Sequence, residues 1–367
     1  MKQITIVGAG RIGSMIADLL GGCGDYEVEV IDQSRDQLDR MDTSASIAKR
    51  VLDLAKDKGA LKTALAGRFA VLSAAPYHLT TRIAEAAKAA GAHYLDLTED
   101  VASTKRVKQL AKGAATAFIP QCGLAPGFIT IAAAALARDF DELQDVRMRV
   151  GALPKFPSNA LNYNLTWSTD GVINEYCEPC EAIVNGRLTE TAALEELEEF
   201  SLDGVTYEAF NTSGGLGTLC DTLAGKVRNL NYRTIRYPGH AAIMKALLND
   251  LGLRHRREVL KDILENALPT TLQDVVIVFV TVSGWKAGRL VQETYVNKVY
   301  AAPLGGHMRS AIQITTAAGI CAVLDMLAAG DLPQSGFIRQ EDIALETFLA
   351  NRFGRLYLPD GANTAAA

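Results

Sequence analysis

The most constraining stretch of this chain is Ile4-Thr5-Ile6-Val7-Gly8-Ala9-Gly10-Arg11-Ile12-Gly13. A β-branched apolar run, a Gly-x-Gly-x-x-Gly turn and the helical pattern Met15 to Leu20 give strand, tight turn and helix, the order a dinucleotide pyrophosphate requires. Gly8 allows the turn, Gly10 lets the backbone approach the pyrophosphate, and Gly13 lets the helix lie close on the strand. Arg11 and Ile12 open the helix, whose unpaired N–H groups and positive dipole end suit phosphate. A second strand, Val28-Glu29-Val30-Ile31-Asp32, ends in an acid about 20 residues on, placed to accept hydrogen bonds from a ribose 2′-hydroxyl. A 2′-phosphate there would face like charge, so Asp32 favours NAD. Ser34 and Arg35 are residue types able to hold that phosphate and keep NADP as the alternative cofactor.

At 367 residues the chain is long for one core and suits two domains. Its hydrophobic content of 49% supplies a sizeable core, and a net charge of −5 argues against a nucleic-acid footprint, which would be basic. Met1-Lys2-Gln3 leads straight into the first strand without a secretory h-region, which implies a cytoplasmic protein. No apolar run is read as long enough to span a membrane. Six irregularly spaced cysteines make no disulfide framework. Cys177-Glu178-Pro179-Cys180 lacks the second ligand pair of a zinc site, so no metal is expected and two reduced thiols near a turn are favoured.

The first half continues a βαβ rhythm. Residues 45–57 read as a helix or strand edge, with Asp53 where an acid could contact adenine, or else a surface charge. Phe69 to Ala74 suits a buried parallel strand, Thr81 to Ala90 a helix, Gly91 to Glu99 a strand, Val101 to Lys112 a helix and Ala117 to Pro120 a strand. Ligands of doubly wound sheets lie beyond the carboxyl ends of the strands, which points to Ser73 with Ala75, Pro76 and Tyr77, to Thr98-Glu99-Asp100, and to Gln121-Cys122-Gly123. From about Asp141 alternating strands replace this rhythm, at Val146 to Val150, Val205 to Phe210, Val275 to Ser283 and Leu290 to Tyr300, with a helix over Ala241 to Leu251. This reads as an α+β substrate domain. The helical pattern Ser310 to Leu327 returns to the first domain, and residues 363–367 look frayed. The expected fold class is therefore α/β: a Rossmann domain (1–130), an inserted α+β domain (131–305) and a C-terminal return to the Rossmann domain (306–367).

Four motifs carry a resemblance: Gly8-Ala9-Gly10-Arg11-Ile12-Gly13, Gly123-Leu124-Ala125-Pro126-Gly127, Phe210-Asn211-Thr212-Ser213-Gly214-Gly215, and Tyr232-Arg233-Thr234-Ile235-Arg236-Tyr237-Pro238-Gly239-His240. In order and over nearly the whole chain they resemble the saccharopine dehydrogenase-like family, and within it the lysine 6-dehydrogenase branch most. The resemblance implies that the inserted domain carries the substrate contacts and a dimer interface, giving a homodimer or higher homo-oligomer. It also implies NAD-dependent oxidative deamination of the ε-amine of L-lysine to 2-aminoadipate 6-semialdehyde and ammonia. The saccharopine-reductase relatives carry an aspartate where this chain has Ala125 and a carboxylate-holding arginine that aligns with Gly215. A carboxylate left without its guanidinium binds poorly, so a one-carboxylate diamino acid fits better than saccharopine. Other oxidoreductases of the family, acting on saccharopine or a carboxylated polyamine, and a non-catalytic NAD-binding protein are the alternatives.

Hydride leaves the ε-carbon only once its nitrogen has lost a proton, so the site must handle a group that titrates near 10.4. Tyr77 and His240 are the candidates for proton handling, against a packed aromatic and a structural histidine. Arg236 is the candidate fork for the α-carboxylate, against a surface ion pair. Glu99 or Asp100 would pair with an ammonium of the substrate, or would simply be solvated. Thr212 and Ser213, ahead of two glycines, would hydrogen-bond the amino-acid end. Tyr163 and Trp167 would wall the methylene stem or pack in a core. Cys122 is expected beside the nicotinamide.

Overall fold

The computed structural model describes residues 1–54, 56 and 59–359, so the frayed end expected at 363–367 lies outside the described residues, as do parts of 45–57. The chain divides into two compact units: Met1–Phe128 with Pro303–His307 and the chain from Gln313 onward, and Ile129–Ala302 with Met308–Ile312.

In the first unit β1 (Lys2–Val7) runs into α1 (Arg11–Gly22), and β2 (Tyr26–Asp32), β3 (Ala48–Val51) and β4 (Ala70–Ser73) follow. α2 (Tyr77–Ala90), β5 (His93–Asp96), α3 (Val101–Ala111) and β6 (Ala117–Ile119) continue the alternation. All four residues of β4 are buried, as a strand covered on both faces requires. α2 begins at Tyr77, four residues before the expected start. Pro76 stands at its N-cap, where the missing N–H of proline costs nothing.

The second unit is built on one mixed sheet. β7 (Glu142–Pro154) leads through α4 (Thr169–Cys177) to β8 (Cys180–Val184), β9 (Arg187–Thr191), β10 (Glu198–Leu202) and β11 (Val205–Asn211). Then come β12 (Val227–Arg236), α5 (His240–Lys245), α6 (Arg257–Ala267), β13 (Asp274–Lys286) and β14 (Arg289–Tyr300). The strand order is β10-β11-β12-β7-β13-β14, with β8 on β12 and β9 on β8. β12 and β7 pair in parallel from Val227↔Leu143 to Thr234↔Val150, and the other pairs are antiparallel. Thr234 to Arg236, expected in a loop, are thus the last three residues of a central strand.

α7 (Ala311–Ala329) then carries the chain back, and β15 (Gly336–Phe337) completes a seven-stranded parallel sheet in the first unit, ordered β15-β6-β5-β4-β1-β2-β3. This is the α/β architecture read from the sequence. One expectation is corrected: α7 is 19 residues long and apolar enough to cross a membrane by length and composition. Its Ile314, Ala317, Ala318, Ile320, Val323 and Leu324 are fully buried, which makes it a core helix of the folded chain.

Candidate functional site

The glycine turn of the first unit is shaped by close backbone contacts. Gly8 takes a φ of +111°, and a Cβ there would lie 2.6 Å from the Ala74 carbonyl oxygen. A Cβ on Gly13 would lie 1.9 Å from the Gly8 oxygen. Both positions therefore admit only glycine. Gly10 differs: its Cβ would meet no heavy atom within 4 Å, and it caps α1 with no side-chain hydrogen bond. The turn thus leaves open space and unpaired helix N–H groups together, the cradle a pyrophosphate fits.

Asp32, half-buried at the end of β2, has one oxygen on the N–H of Ala9 at 2.8 Å and the other on the N–H of Ser34 at 2.8 Å. Its carboxylate therefore braces the glycine turn. Ser73 ends β4 with a buried hydroxyl that has no hydrogen-bond partner among the described residues, as a group free to meet a cofactor would. Ala75 is half-buried and Pro76 exposed beside it, while Arg11 is exposed and Ile12 half-buried. Asp53 forms an ion pair with Lys56 at 3.1 Å.

At the tip of β5 and just after it stand three carboxylates, Asp96, Glu99 and Asp100. Asp96, 1% exposed, accepts hydrogen bonds from the Tyr94 hydroxyl (2.8 Å) and the N–H groups of Thr98 (3.0 Å) and Gln121 (2.8 Å). It ties β5 to the turn after β6, where Gln121 adopts φ 64° and the Ala125–Pro126 peptide is cis. Burial still wins over these donors and pushes Asp96 up to about 6. Asp100 caps α3 by accepting from the Ser103 N–H at 2.7 Å, so its carboxylate is committed to the helix. Glu99 is pushed up to about 7, first by burial and then by the charges of Asp100 and Asp96, against its own backbone N–H. Cys122 is 1% exposed, donates to the Ile119 carbonyl at 3.0 Å and receives the Gln340 amide at 3.3 Å. Burial and Asp96 raise its thiol well above the usual range, so it is a packed, protonated side chain. Tyr77 is half-buried at the start of α2, edge-on to His78 with ring centroids 6.0 Å apart.

A stability test follows from Glu99. A carboxyl whose value rises from 4.5 unfolded to about 7 folded holds its proton better in the native state. Its contribution is full below pH 4.5 and is lost as pH rises through 7. Relative to E99Q, the wild type is expected to lose melting temperature between pH 5 and 8, by an amount on the order of several °C. A difference that stays constant across that window excludes the burial of this charge.

In the second unit the expected residues fall around the end of β12. Antiparallel register sets Arg236 opposite Glu208 and Thr234 opposite Phe210. Glu208, 2% exposed, accepts from the N–H groups of Gly239 (2.8 Å) and Ala241 (2.6 Å) and so holds the Tyr237-Pro238-Gly239 turn that starts α5 at His240. Arg236 and His240 are 2% and 1% exposed. The Arg236 Nε donates to the Tyr176 hydroxyl at 3.0 Å, one terminal nitrogen donates to the Ile235 carbonyl at 2.8 Å, and the guanidinium carbon stands 4.9 Å from the Tyr163 ring centre. Burial opposes its charge, but the oxygens of Tyr176, Tyr163 and Glu175 outweigh that and hold it firmly protonated. Among the described residues it has no ion pair with a carboxylate.

His240 places Nε2 3.0 Å from the Tyr176 hydroxyl and Nδ1 2.9 Å from the Leu161 carbonyl. Burial, and then the Arg236 charge, lower it to about 3, so the ring is neutral at every pH of physiological interest. Both of its nitrogens are occupied. Tyr163, 2% exposed, has its hydroxyl raised above the usual value by burial, against the Arg236 charge and the Thr166 and Trp167 side chains beside it. Thr212 shares a hydrogen bond with Thr234 at 2.7 Å, and Ser213 donates to the Pro179 carbonyl at 2.8 Å. Trp167 packs over Gly171, where a Cβ would lie 2.3 Å from its ring.

The second unit thus brings Arg236, His240 and Tyr163 into one cluster and spends the Ser213 hydroxyl on its own backbone; the first unit holds Tyr77, Glu99 and the glycine turn. Tyr176, Glu208, Thr166 and Asp96 were not singled out in the sequence. Only Asp96 carried a signal, as an acid at a strand tip.

Two family models match this chain: the saccharopine dehydrogenase NADP binding domain over residues 4–119 and the saccharopine dehydrogenase C-terminal domain over residues 123–355. The chain belongs to the saccharopine dehydrogenase family. Mitochondrial alpha-aminoadipic semialdehyde synthase of Bos taurus is 22% identical over 81% of the chain, and that of Mus musculus 20% over 70%. The chain spans about a third of the length of these relatives, 33% and 29% respectively. Saccharopine dehydrogenase (L-Glu forming) from Saccharomyces cerevisiae has the same fold, with a TM-score of 0.78 at 15% identity, covering 100% of this chain and 98% of that one.

Proposed function

We propose that this member of the saccharopine dehydrogenase family is a nicotinamide-dependent oxidoreductase that deaminates the ε-amine of L-lysine to 2-aminoadipate 6-semialdehyde. The observation that carries the reading is Arg236: a guanidinium 2% exposed, with no carboxylate ion pair among the described residues, beside the Tyr163 ring. Two tyrosines and the Glu175 charge hold it protonated, and its terminal N–H groups suit a carboxylate ligand. Gly8, Gly10, Gly13 and the opening of α1 would hold the pyrophosphate and Asp32 the ribose, and the nicotinamide would supply the hydride acceptor. In the first unit Glu99, pushed up to about 7, is a titratable group suited to exchange a proton with an amine. Tyr77 is the second candidate for that proton. Assembly as a homodimer and a cytoplasmic location complete the reading.

Saccharopine is the competing substrate, because the Saccharomyces cerevisiae protein of the same fold is a saccharopine dehydrogenase. Gly215 speaks against it. A Cβ at that position would stand 2.2 Å from the Tyr232 ring, so the arginine expected there in saccharopine-binding relatives has no room. The deciding experiment offers lysine, ornithine, saccharopine and carboxynorspermidine with NAD and NADP and follows reduced cofactor at 340 nm. Lysine with NAD is expected to give the highest kcat/KM, rising above pH 7 as the reacting amine loses its proton. Preference for saccharopine, or cofactor binding without turnover, overturns the reading. Asp32→Ala is expected to weaken both cofactors through its brace to Ala9, and NAD roughly tenfold more than NADP; equal losses by calorimetry exclude the ribose contact.

A further inference from the structure

We infer that His240 and Tyr176 form a fixed hydrogen-bond chain that aims the Arg236 guanidinium, so that His240 is a positioning residue for carboxylate recognition. The inference rests on the proposed role of Arg236 and extends it. The direction of each bond follows from the atoms available. The Leu161 carbonyl only accepts, so His240 Nδ1 carries the hydrogen at 2.9 Å. In a neutral imidazole Nε2 then has only a lone pair, so the Tyr176 hydroxyl must donate to it at 3.0 Å. The Tyr176 oxygen is left to accept from Arg236 Nε–H at 3.0 Å, the one direction a guanidinium allows.

The chain therefore runs one way, from Arg236 through Tyr176 and His240 to a backbone carbonyl. No member can reverse without leaving a buried donor facing a donor. The charged groups acting on it are Arg236 itself and Glu175 of α4, and the cation beside a fully buried ring opposes any second proton. With Nε committed to Tyr176 and one terminal nitrogen already donating to Ile235, the guanidinium cannot offer its Nε edge. A carboxylate must approach end-on, over the two terminal nitrogens. The rings of Tyr163 and Tyr176, with centroids 4.9 and 5.9 Å from the guanidinium carbon, hold its plane.

Two measurements test this, one of them independent of the substrate. The chain has five histidines, so 15N spectra of the labelled ring with H240Q as assignment control can follow His240. The expected result is a neutral Nδ1–H tautomer unchanged from pH 5 to 9; titration within that range, or the Nε2–H tautomer, overturns the inference. Calorimetry then compares L-lysine and L-norleucine, which share the carboxylate but not the ε-amine, on Y176F, H240L and H240Q. Y176F and H240L are expected to raise Kd for both ligands at least tenfold. H240Q, whose amide oxygen can still accept from Tyr176, should raise it less than threefold, with the melting temperature and cofactor Kd recording intact folding. Unaltered Kd in folded Y176F and H240L refutes positioning. Wild-type protein that binds neither ligand refutes the lysine reading itself, and the tautomer still decides whether the chain exists.

Discussion

Arg236→Leu is expected to abolish amino-acid turnover while leaving dinucleotide binding intact. Removing one partner of a buried charge pair costs about 2–5 kcal/mol, so kcat/KM for lysine should fall roughly 30- to 4000-fold. The loss has two parts. The carboxylate of the proposed substrate would meet no cation, and Tyr176 loses the donor that orders its hydroxyl toward His240. Arg236→Lys separates them. A lysine keeps the charge but is a point donor without the planar fork, so it should recover only a minor share of the loss. Calorimetric Kd for lysine and for the dinucleotide, read on the same preparations, checks both variants. Lysine affinity unchanged in a folded R236L protein removes the α-carboxylate from Arg236 and with it the proposed substrate class.

How far such a site can be read from sequence depends on how local its bonds are. The glycine turn, α1 and Asp32 were legible because the strand, turn, helix and acid lie within the first 32 residues, each with its own steric reason. Arg236 was legible as a residue type only. Its expected place was a loop, whereas it ends a central strand, because the partner of that strand is β7, joined to it in parallel across a long crossover. The chain that fixes it is not legible at all: Arg236 meets Tyr176 60 residues away, Tyr176 meets His240 across 64, and His240 meets Leu161 across 79. No periodicity links such positions, and Tyr176 in isolation is an ordinary core aromatic. Glu208 is the same case, a buried acid whose purpose appears only when β11 is laid against β12. His240 shows the consequence for chemistry. Its residue type suggests proton transfer, but only its neighbours reveal that both nitrogens are occupied and its proton affinity is depressed.

The second and third glycines of the N-terminal turn, Gly10 and Gly13, should part company under mutation, although the motif treats them alike. Gly13→Ala forces a methyl group to within 1.9 Å of the Gly8 carbonyl oxygen, backbone that no rotamer change can relieve. That overpacking is expected to cost about 1–3 kcal/mol of stability and to displace α1 from β1, losing cofactor binding as a side effect of misfit. Gly10→Ala meets no protein atom within 4 Å, and Gly10 already has φ −72°, which alanine adopts freely. Its stability should stay within about 0.5 kcal/mol of the wild type. A dinucleotide is another matter, because the new methyl group stands in the space that lets the backbone approach a pyrophosphate. Affinity should fall on the order of tenfold or more in a protein that melts normally. Denaturant unfolding and calorimetric titration with NAD and NADP on both variants give the comparison. Full affinity in folded Gly10→Ala would place the phosphates elsewhere, since the open face of this turn is the reason for assigning them to it.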